Sequence, residues 1–266
     1  MAALDHLRVL VPESRELDLF ARMLEDEGAL TLRCPLVQIA DLDDTTEAQA
    51  WIGQLIASPF DFTVLMTGEG LRKLVGLSGS RRDDFIRALA KSRILTRGPK
   101  PARALREIGL VPALTASEPT SAGVLETLKK EALEGRRIGV QLYPSDNPLP
   151  LVEKLRGLGA QVFPVTPYRY VAEADSEQVI HAIDDLAAGR IDLIAFTSSA
   201  QIERLFAVAR QSAREQQLKD ALARTPIAAI GPVMEEALKA KGLSSVIHPP
   251  SFHLKPLVRA IAAWRR

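Results

Sequence analysis

The architecture of the chain is predicted most directly by two stretches, DFTVLMTGEGLRKL at residues 61–74 and DLIAFTSSAQIERL at residues 192–205. Each begins with an aspartate, continues through a short apolar run and then passes through small or hydroxyl-bearing residues into an amphipathic segment. This order predicts a buried strand followed by a tight turn and a helix. The second stretch lies 131 residues after the first, which indicates a duplicated unit.

Two further pairs support the duplication. ILTRGP at residues 94–99 resembles IAAIGP at 227–232, at an offset of 133 residues. VLV at 9–11, with a helical pattern ending at Gly28, resembles VQL at 140–142, with one ending at Gly159. Any two βα units share some features, but three ordered matches at nearly one offset favour a repeat of about 130 residues.

Short apolar runs alternate with segments of helical spacing along the whole chain. The runs predicted as strands are Arg8–Val11, Leu30–Pro35, Phe62–Met66, Ile94–Thr96, Ile138–Leu142, Gln161–Val165, Leu193–Thr197, Ile227–Ile230 and Ser245–His248. Strands that alternate with helices form parallel sheets through right-handed crossovers. The predicted fold class is α/β, with two doubly wound parallel-sheet domains in the 266 residues.

Two proline-bearing extended segments interrupt the alternation, at about 35–41 and 164–171. Each follows the first βαβ unit of its repeat and precedes an acidic turn, at 41–46 and 173–176, and a new helix. They are predicted to connect the two domains.

Composition excludes several classes of protein. The net charge of +1 provides no general basic field for nucleic acid, and the single Cys34 excludes an internal disulfide. No apolar run approaches the roughly 20 residues that span a bilayer, and the N-terminus lacks a secretory signal. We expect a cytoplasmic protein with no nucleic-acid or membrane partner.

The residues that follow the strands are candidates for ligand binding, because ligands of open α/β sheets bind beyond the carboxyl ends of the strands. These loops are small, hydroxylic and glycine-bearing, and their members are Ser14, Arg15, 67–70, 97–100, Tyr143, Ser145, Asp146, Asn147, Ser198, Ser199 and 231–232. Helix N-termini at such loops bind carboxylates and phosphates. Ordinary helix capping accounts for any single loop, but six along the same sheet edges favour an anion site.

A basic cluster of Arg97, Lys100, Arg103 and Arg106 supports the same interpretation. Cations at the start of a helix oppose the helix dipole, so their presence there favours an anionic ligand. Arg103 and Arg106 taken individually fit a solvated helix face. The sequence contains no dinucleotide fingerprint, phosphate loop, hydrolase elbow or metal-ligand spacing, and neither cofactor nor metal is expected.

Together these motifs resemble the uroporphyrinogen-III synthase family. The resemblance rests on 9–11 with Arg15, 61–68, 97–100, 141–143, 167–169, 192–198 and 229–232 with the helix to Gly242. The matches run in order from about residue 8 to 260. Each motif is short, and their order, the duplication and the length make the set specific.

The resemblance implies two α/β domains, at 1–36 with 172–266 and at 40–165, joined by a two-stranded connector, with the active site in the cleft between them. In that arrangement the first βαβ unit of each repeat packs with the remainder of the other repeat. The implied activity is that of a cofactor-free lyase of tetrapyrrole and haem biosynthesis, acting as a monomer. It closes hydroxymethylbilane, a linear tetrapyrrole with eight carboxylates, into uroporphyrinogen III with inversion of ring D and loss of water.

The family's candidate acid is a tyrosine on the connector, which corresponds to Tyr168. The alternative for Tyr168 is a residue that packs the connector. A family serine in the cleft corresponds to Ser198 and a family loop glycine to Gly231. The full predicted substrate-binding set is Arg15, Thr67, Gly68, Arg97, Lys100, Ser121, Tyr143, Ser198, Ser199 and Gly231.

The chain departs from the family where relatives often carry threonine, with Pro101 and Met234 in those places. These departures leave open a second interpretation, a non-catalytic two-lobed binder of an anionic small molecule. A glycosyltransferase with two nucleotide-type domains is disfavoured by the length and by the lack of a nucleotide signature.

Overall fold

A computed structural model describes residues 2–144, 150–172 and 175–265 of the chain. The predicted loop residues Ser145, Asp146 and Asn147 lie outside the described residues, as does the start of the predicted acidic turn at 173–176. The strands are β1 (Arg8–Val11), β2 (Leu30–Arg33), β3 (Val37–Ala40), β4 (Phe62–Leu65), β5 (Arg93–Thr96), β6 (Leu114–Thr115), β7 (Arg137–Gln141), β8 (Gln161–Val165), β9 (Arg169–Ala172), β10 (Leu193–Phe196) and β11 (Ile227–Ala229).

The helices alternate with these strands. They are α1 (Leu17–Glu25), α2 (Thr46–Ala57), α3 (Gly68–Leu77), α4 (Arg82–Ala90), α5 (Pro99–Glu107), α6 (Ser121–Leu128), α7 (Pro150–Gly157), α8 (Ser176–Ala187), α9 (Ser199–Gln211), α10 (Glu215–Arg224), α11 (Pro232–Ala240) and α12 (Leu254–Arg265).

The chain forms two compact units. Unit 1 comprises Met1–Gln38 and Tyr170–Arg266, and unit 2 comprises Ile39–Arg169. One boundary between the units falls inside β3 and the other falls inside β9. These two strands pair with each other in a two-stranded sheet.

Unit 1 contains a four-stranded parallel sheet in the order β11-β10-β1-β2. Unit 2 contains a five-stranded parallel sheet in the order β6-β5-β4-β7-β8. The strands β1 and β2 open the first repeat but share a sheet with β10 and β11 of the second, and β7 and β8 share one with β4 and β5 in the same way. The exchange of βαβ units between the repeats is thereby confirmed, together with the α/β fold class.

Both sheets are covered on both faces, as buried parallel strands require. In β10, Leu193 and Ala195 contribute to one core of unit 1, whereas Ile194 and Phe196 contribute to the other. Unit 2 likewise has one core against α6 and α7 and a second against α2 to α5. Successive strand residues are therefore apolar without alternation, which is why short apolar runs identified the strands.

The strand predicted at Ser245–His248 is wrong. Within the described residues, this segment forms only one isolated parallel bridge, between Ile247 and Ala228, together with a hydrogen bond from the N–H of Val246 to the carbonyl oxygen of Ile227 at 3.0 Å. Pro249 and Pro250 follow directly and have no N–H to extend a ladder. The short β6 was not predicted, because two residues carry no periodicity.

Candidate functional site

Each sheet has one place where the direction of strand succession reverses. In unit 1 it lies between β10 and β1, and in unit 2 it lies between β4 and β7. Ligands of open α/β sheets bind beyond the carboxyl ends of the strands at such switch points. We therefore describe the residues at these two points first.

The switch point of unit 2 is built on Thr67 and Gln141. Thr67 is the N-cap of α3, and its Oγ1 accepts a hydrogen bond from the N–H of Gly70 at 3.0 Å. Gln141 ends β7 and is fully buried, and its Oε1 accepts from the backbone N–H of Thr67 at 3.0 Å. A Cβ on Gly70 would lie 1.9 Å from Nε2 of Gln141, so only glycine leaves room for this side chain.

Tyr168 joins the same cluster. Its hydroxyl oxygen lies 3.4 Å from Thr67 Oγ1, and the side chain is only 1% exposed. Thr67 Oγ1 already accepts hydrogen bonds from the N–H of Gly70 and from Nε2 of Gln141, the latter at 3.2 Å. A hydroxyl has two acceptor positions and one proton, so Thr67 donates to Tyr168. The phenol proton is thereby directed away from Thr67.

The loops after β4, β5 and β6 lie side by side in unit 2. A Cβ on Gly68 would come within 2.7 Å of the carbonyl oxygen of Lys100, and one on Gly98 within 3.0 Å of Pro119. Hence the starts of α3, α5 and α6 share one edge of the sheet. Arg72 donates to both carboxylate oxygens of Glu107, at 2.9 and 2.8 Å, which ties α3 to α5 and lowers the pKa of Glu107.

Four predicted binding residues complete this edge. Arg97 is half-buried after β5, with its guanidinium carbon 5.1 Å from the centroid of the Tyr143 ring. Such a stack holds a planar cation in a defined orientation. Lys100 is exposed in the first turn of α5. Ser121 is the first residue of α6, next to Thr120, whose Oγ1 accepts from the N–H of Gly123 at 3.0 Å.

At the switch point of unit 1 lies a different cluster, formed by Glu13, Thr197 and Gln201. Gln201 is 2% exposed, and its Oε1 accepts from the backbone N–H groups of Thr197 and Ser198 at 2.9 and 3.2 Å. Its Nε2 donates to Thr197 Oγ1 at 2.8 Å and to Glu13 Oε2 at 3.4 Å. The Thr197 hydroxyl in turn donates to Glu13 Oε2.

The predicted binding residues of unit 1 lie in the loops that follow β1, β10 and β11. Arg15 is exposed in the turn before α1, Ser198 is the N-cap of α9, and Ser199 is its first residue. Gly231 is the N-cap of α11 and is buried, and a Cβ there would come within 2.8 Å of the Phe252 ring. The three strands that precede these loops, β1, β10 and β11, are neighbours in the sheet.

Burial raises the pKa of the Cys34 thiol to about 12, so this thiol stays protonated and unreactive at neutral pH. Among the described residues, no three His, Cys, Asp or Glu side chains are grouped as metal ligands. None of the helices described above combines the length and the apolar character needed to cross a membrane.

Sequence reasoning missed Glu13, Gln141 and Gln201 as site residues. Glutamine is mostly an exposed residue, so Gln141 at the end of the apolar run 138–142 was a usable signal. Gln201 carried a different signal, because Ser198 followed three residues later by a glutamine is the capping-box pattern of a helix N-terminus.

The chain matches the family model described as uroporphyrinogen-III synthase HemD over residues 18–259. It is 25% identical over 260 residues to the uncharacterised protein YjjA of Bacillus subtilis (strain 168), covering 97% of this chain and 95% of that protein. A mutant uroporphyrinogen III synthase from Thermus thermophilus matches with a TM-score of 0.80 and 28% identity, over 98% of this chain and 100% of that one. The wild-type Thermus enzyme in another crystal form gives a TM-score of 0.64 at 29% identity, with 97% of each chain covered.

Proposed function

The chain belongs to the uroporphyrinogen-III synthase family, and we therefore propose that it closes hydroxymethylbilane into uroporphyrinogen III with inversion of ring D and loss of water. The observation that carries the proposal is the extent of the family match, because residues 18–259 include every predicted site residue except Arg15. We further propose, as the family resemblance implies, that the protein acts as a cytoplasmic monomer without a cofactor.

The edge of unit 2 supplies groups suited to the substrate's carboxylates. Arg97 and Lys100 are cations beside the starts of α3, α5 and α6, where the helix dipoles also favour anions. Pro99 and Pro101 have no N–H, so the first turn of α5 offers fewer backbone donors than a helix without prolines. We propose that the two cationic side chains replace those donors.

The edge of unit 1 supplies neutral donors in this proposal. Ser198, Ser199 and Gly231 provide hydroxyls and backbone groups at the starts of α9 and α11, and Arg15 adds a cation. Met234 is 1% exposed in the core of unit 1, which leaves no hydroxyl at that position to assist.

Tyr168 is proposed as the acid. Phenols are protonated at neutral pH, and the hydrogen bond from Thr67 directs the Tyr168 proton toward an acceptor other than Thr67. The carbon–oxygen bond of the hydroxymethyl group breaks, and the oxygen leaves with the electron pair and the phenol proton as water. Ring D then attacks through its substituted carbon to give a spiro intermediate, which fragments and recloses. The proton lost from ring D returns to the phenolate.

The test supplies enzymatically made hydroxymethylbilane and separates the oxidised uroporphyrin isomers by chromatography. We expect isomer III in excess over a protein-free control, because spontaneous closure gives isomer I. Isomer I alone, with tight binding of the tetrapyrrole, would instead support the non-catalytic binder.

A further inference from the structure

We propose that Glu13 is a further catalytic residue, whose carboxylate accepts a hydrogen bond from a pyrrole N–H and stabilises the cation formed when the hydroxyl leaves. This inference rests on the proposed function and adds a residue to it. It starts from the position of Glu13, two residues beyond β1 at the switch point of unit 1.

The carboxylate of Glu13 is held in place by side chains. Oε2 accepts hydrogen bonds from the hydroxyl of Thr197 and from Nε2 of Gln201. Since a carboxylate only accepts, the direction of the chain from Gln201 through Thr197 to Glu13 is fixed. Gln201 and Thr197 are buried, at 2% and 7% exposure, so the orientation is set before any ligand binds.

Glu13 does not serve as a helix cap for α9. The backbone N–H groups of Thr197 and Ser198 are already bound by Oε1 of Gln201. Glu13 contacts only the side chains of that segment, and within the described part of the chain its Oε1 has one long contact, 3.4 Å from the N–H of Glu16. An ionised carboxylate has about four acceptor positions, so Oε1 can accept from a ligand.

A carboxylate among the binders of a substrate with eight carboxylates is repulsive in the ground state. It becomes favourable when positive charge develops. Departure of the hydroxyl leaves a delocalised cation whose pyrrole N–H is a stronger donor than the neutral pyrrole. The hydrogen bond to Glu13 therefore strengthens as the carbon–oxygen bond breaks, which lowers the barrier to that step without tightening substrate binding.

Among the described residues, the repeat does not place a second carboxylate at the position that corresponds to Glu13. The position 131 residues after Glu13 is Pro144, and the cluster of unit 2 presents the phenol of Tyr168. The two switch points thus present different groups, a carboxylate in unit 1 and a phenol in unit 2.

The experiment measures kcat and KM for isomer III formation by the full chain with Glu13→Gln, Glu13→Asp and Glu16→Gln. Glu13→Gln keeps the shape and an acceptor oxygen for Thr197 but removes the charge. We expect kcat to fall by about 10- to 100-fold with KM unchanged or lower. Glu13→Asp should recover part of the loss, and Glu16→Gln, the same charge change at an exposed side chain three residues on, should behave as wild type.

Thermal unfolding of each variant separates a loss of chemistry from a loss of fold. Unchanged kcat in folded Glu13→Gln, or a higher KM with unchanged kcat, would overturn the role of Glu13 while leaving the proposed function intact. An equal loss in Glu16→Gln would also overturn it, because the effect would then be one of net charge. Wild-type protein that gives isomer I alone would remove the proposed function itself, and this inference with it.

Discussion

At both switch points a buried glutamine binds the N–H of a helix N-cap, but the glutamine belongs to a different element in each unit. In each unit that helix starts directly after a central strand. In unit 2 the glutamine is Gln141 on β7, and the helix has Gly70 opposite it. In unit 1 the glutamine is Gln201 on α9 itself, and the strand position that corresponds to Gln141 carries Leu10.

The comparison indicates that each switch point needs a side-chain amide at the helix N-cap, and that either the strand or the helix can supply it. Gly70 and Gln201 occupy corresponding positions of the repeat, and so do Gln141 and Leu10. In unit 2 only one glutamine fits, because a second would meet the first: a Cβ at residue 70 already lies 2.2 Å from Cδ of Gln141. The two repeats therefore retained the N-cap bond while exchanging its source.

The largest loss of stability is expected when residues 70 and 141 of unit 2 are both glutamine. Gly70→Gln should destabilise unit 2 by about 3 kcal/mol, because the new side chain displaces buried Gln141 and leaves polar groups unpaired. Adding Gln141→Leu reproduces the arrangement of unit 1 and should recover most of the loss. Urea unfolding followed by fluorescence of Trp51, which is buried in unit 2, measures this in a Trp264→Phe background.

Gly76→Ala is the matched control on the same helix. No atom lies within 4 Å of a Cβ there, so the substitution should stabilise α3 by about 0.5–1 kcal/mol. If the double variant is no more stable than Gly70→Gln alone, the two sites are not interchangeable and the comparison fails.

The next largest effect concerns Tyr168, the proposed proton donor at the switch point of unit 2. Tyr168→Phe should lower the turnover for isomer III by about 10²-fold, near the bottom of the range for general acids, because this substrate ionises readily. Product affinity and the unfolding midpoint should change little. Tyr170→Phe, two residues on in β9, is the control and should lose less activity. Full activity in Tyr168→Phe would leave substrate folding as the only contribution of this region.

A smaller effect, on product binding, is expected at the edge of unit 2 that carries Arg97 and Lys100. Arg97→Ala and Lys100→Ala should each weaken product binding by about 1–3 kcal/mol, the range for hydrogen bonds to charged groups. Added salt should weaken wild-type binding in the same direction. Arg106→Ala, an exposed arginine in the last turn of α5, should bind as wild type does. Isothermal titration calorimetry compares the three variants, and equal affinities would make Arg97 and Lys100 ordinary surface residues.

The smallest effect lies at the opposite edge of the unit 1 sheet. Hydrogen bonds from Arg8 hold the pKa of Asp192 below its usual range. The folded state therefore binds a proton at Asp192 less readily than the unfolded state does. The pair stabilises folding above the ordinary aspartate pKa near 3.9, and this contribution is lost as the pH falls below it.

Asp192→Asn should lower the free energy of unfolding by about 0.5 kcal/mol at pH 7, as expected for a partly exposed pair. It should also flatten the decline in stability as the pH falls below about 4. Unfolding midpoints at several pH values check the slope. A parallel decline in the variant and the wild type would show that Asp192 does not contribute to the acid sensitivity.

Periodicity and repeats predicted most of the fold but only part of the site. The apolar runs identified eight of the strands to within two residues or so at each end, since strands buried on both faces carry no polar interruptions. The run at 245–248 failed because apolar character alone does not reveal that prolines prevent pairing. In unit 2, the residues at 67–68, Arg97, Lys100 and Tyr143 were predicted from their place after strands, and Tyr168 from the family resemblance. Their roles stay predictions.

Local spacing, and the residue types that start helices, were enough to establish the duplicated α/β plan, the parallel strands and the loops that could bind an anion. The three-dimensional fold was needed to show that Gln141 reaches Thr67 across 74 residues and that Gln201 and Thr197 orient Glu13 across 188 and 184. Such contacts arise from parallel pairing of strands far apart in the chain, so no window of sequence contains both partners. A glycine such as Gly70 then becomes interpretable, because the side chain that fills its space belongs to another strand.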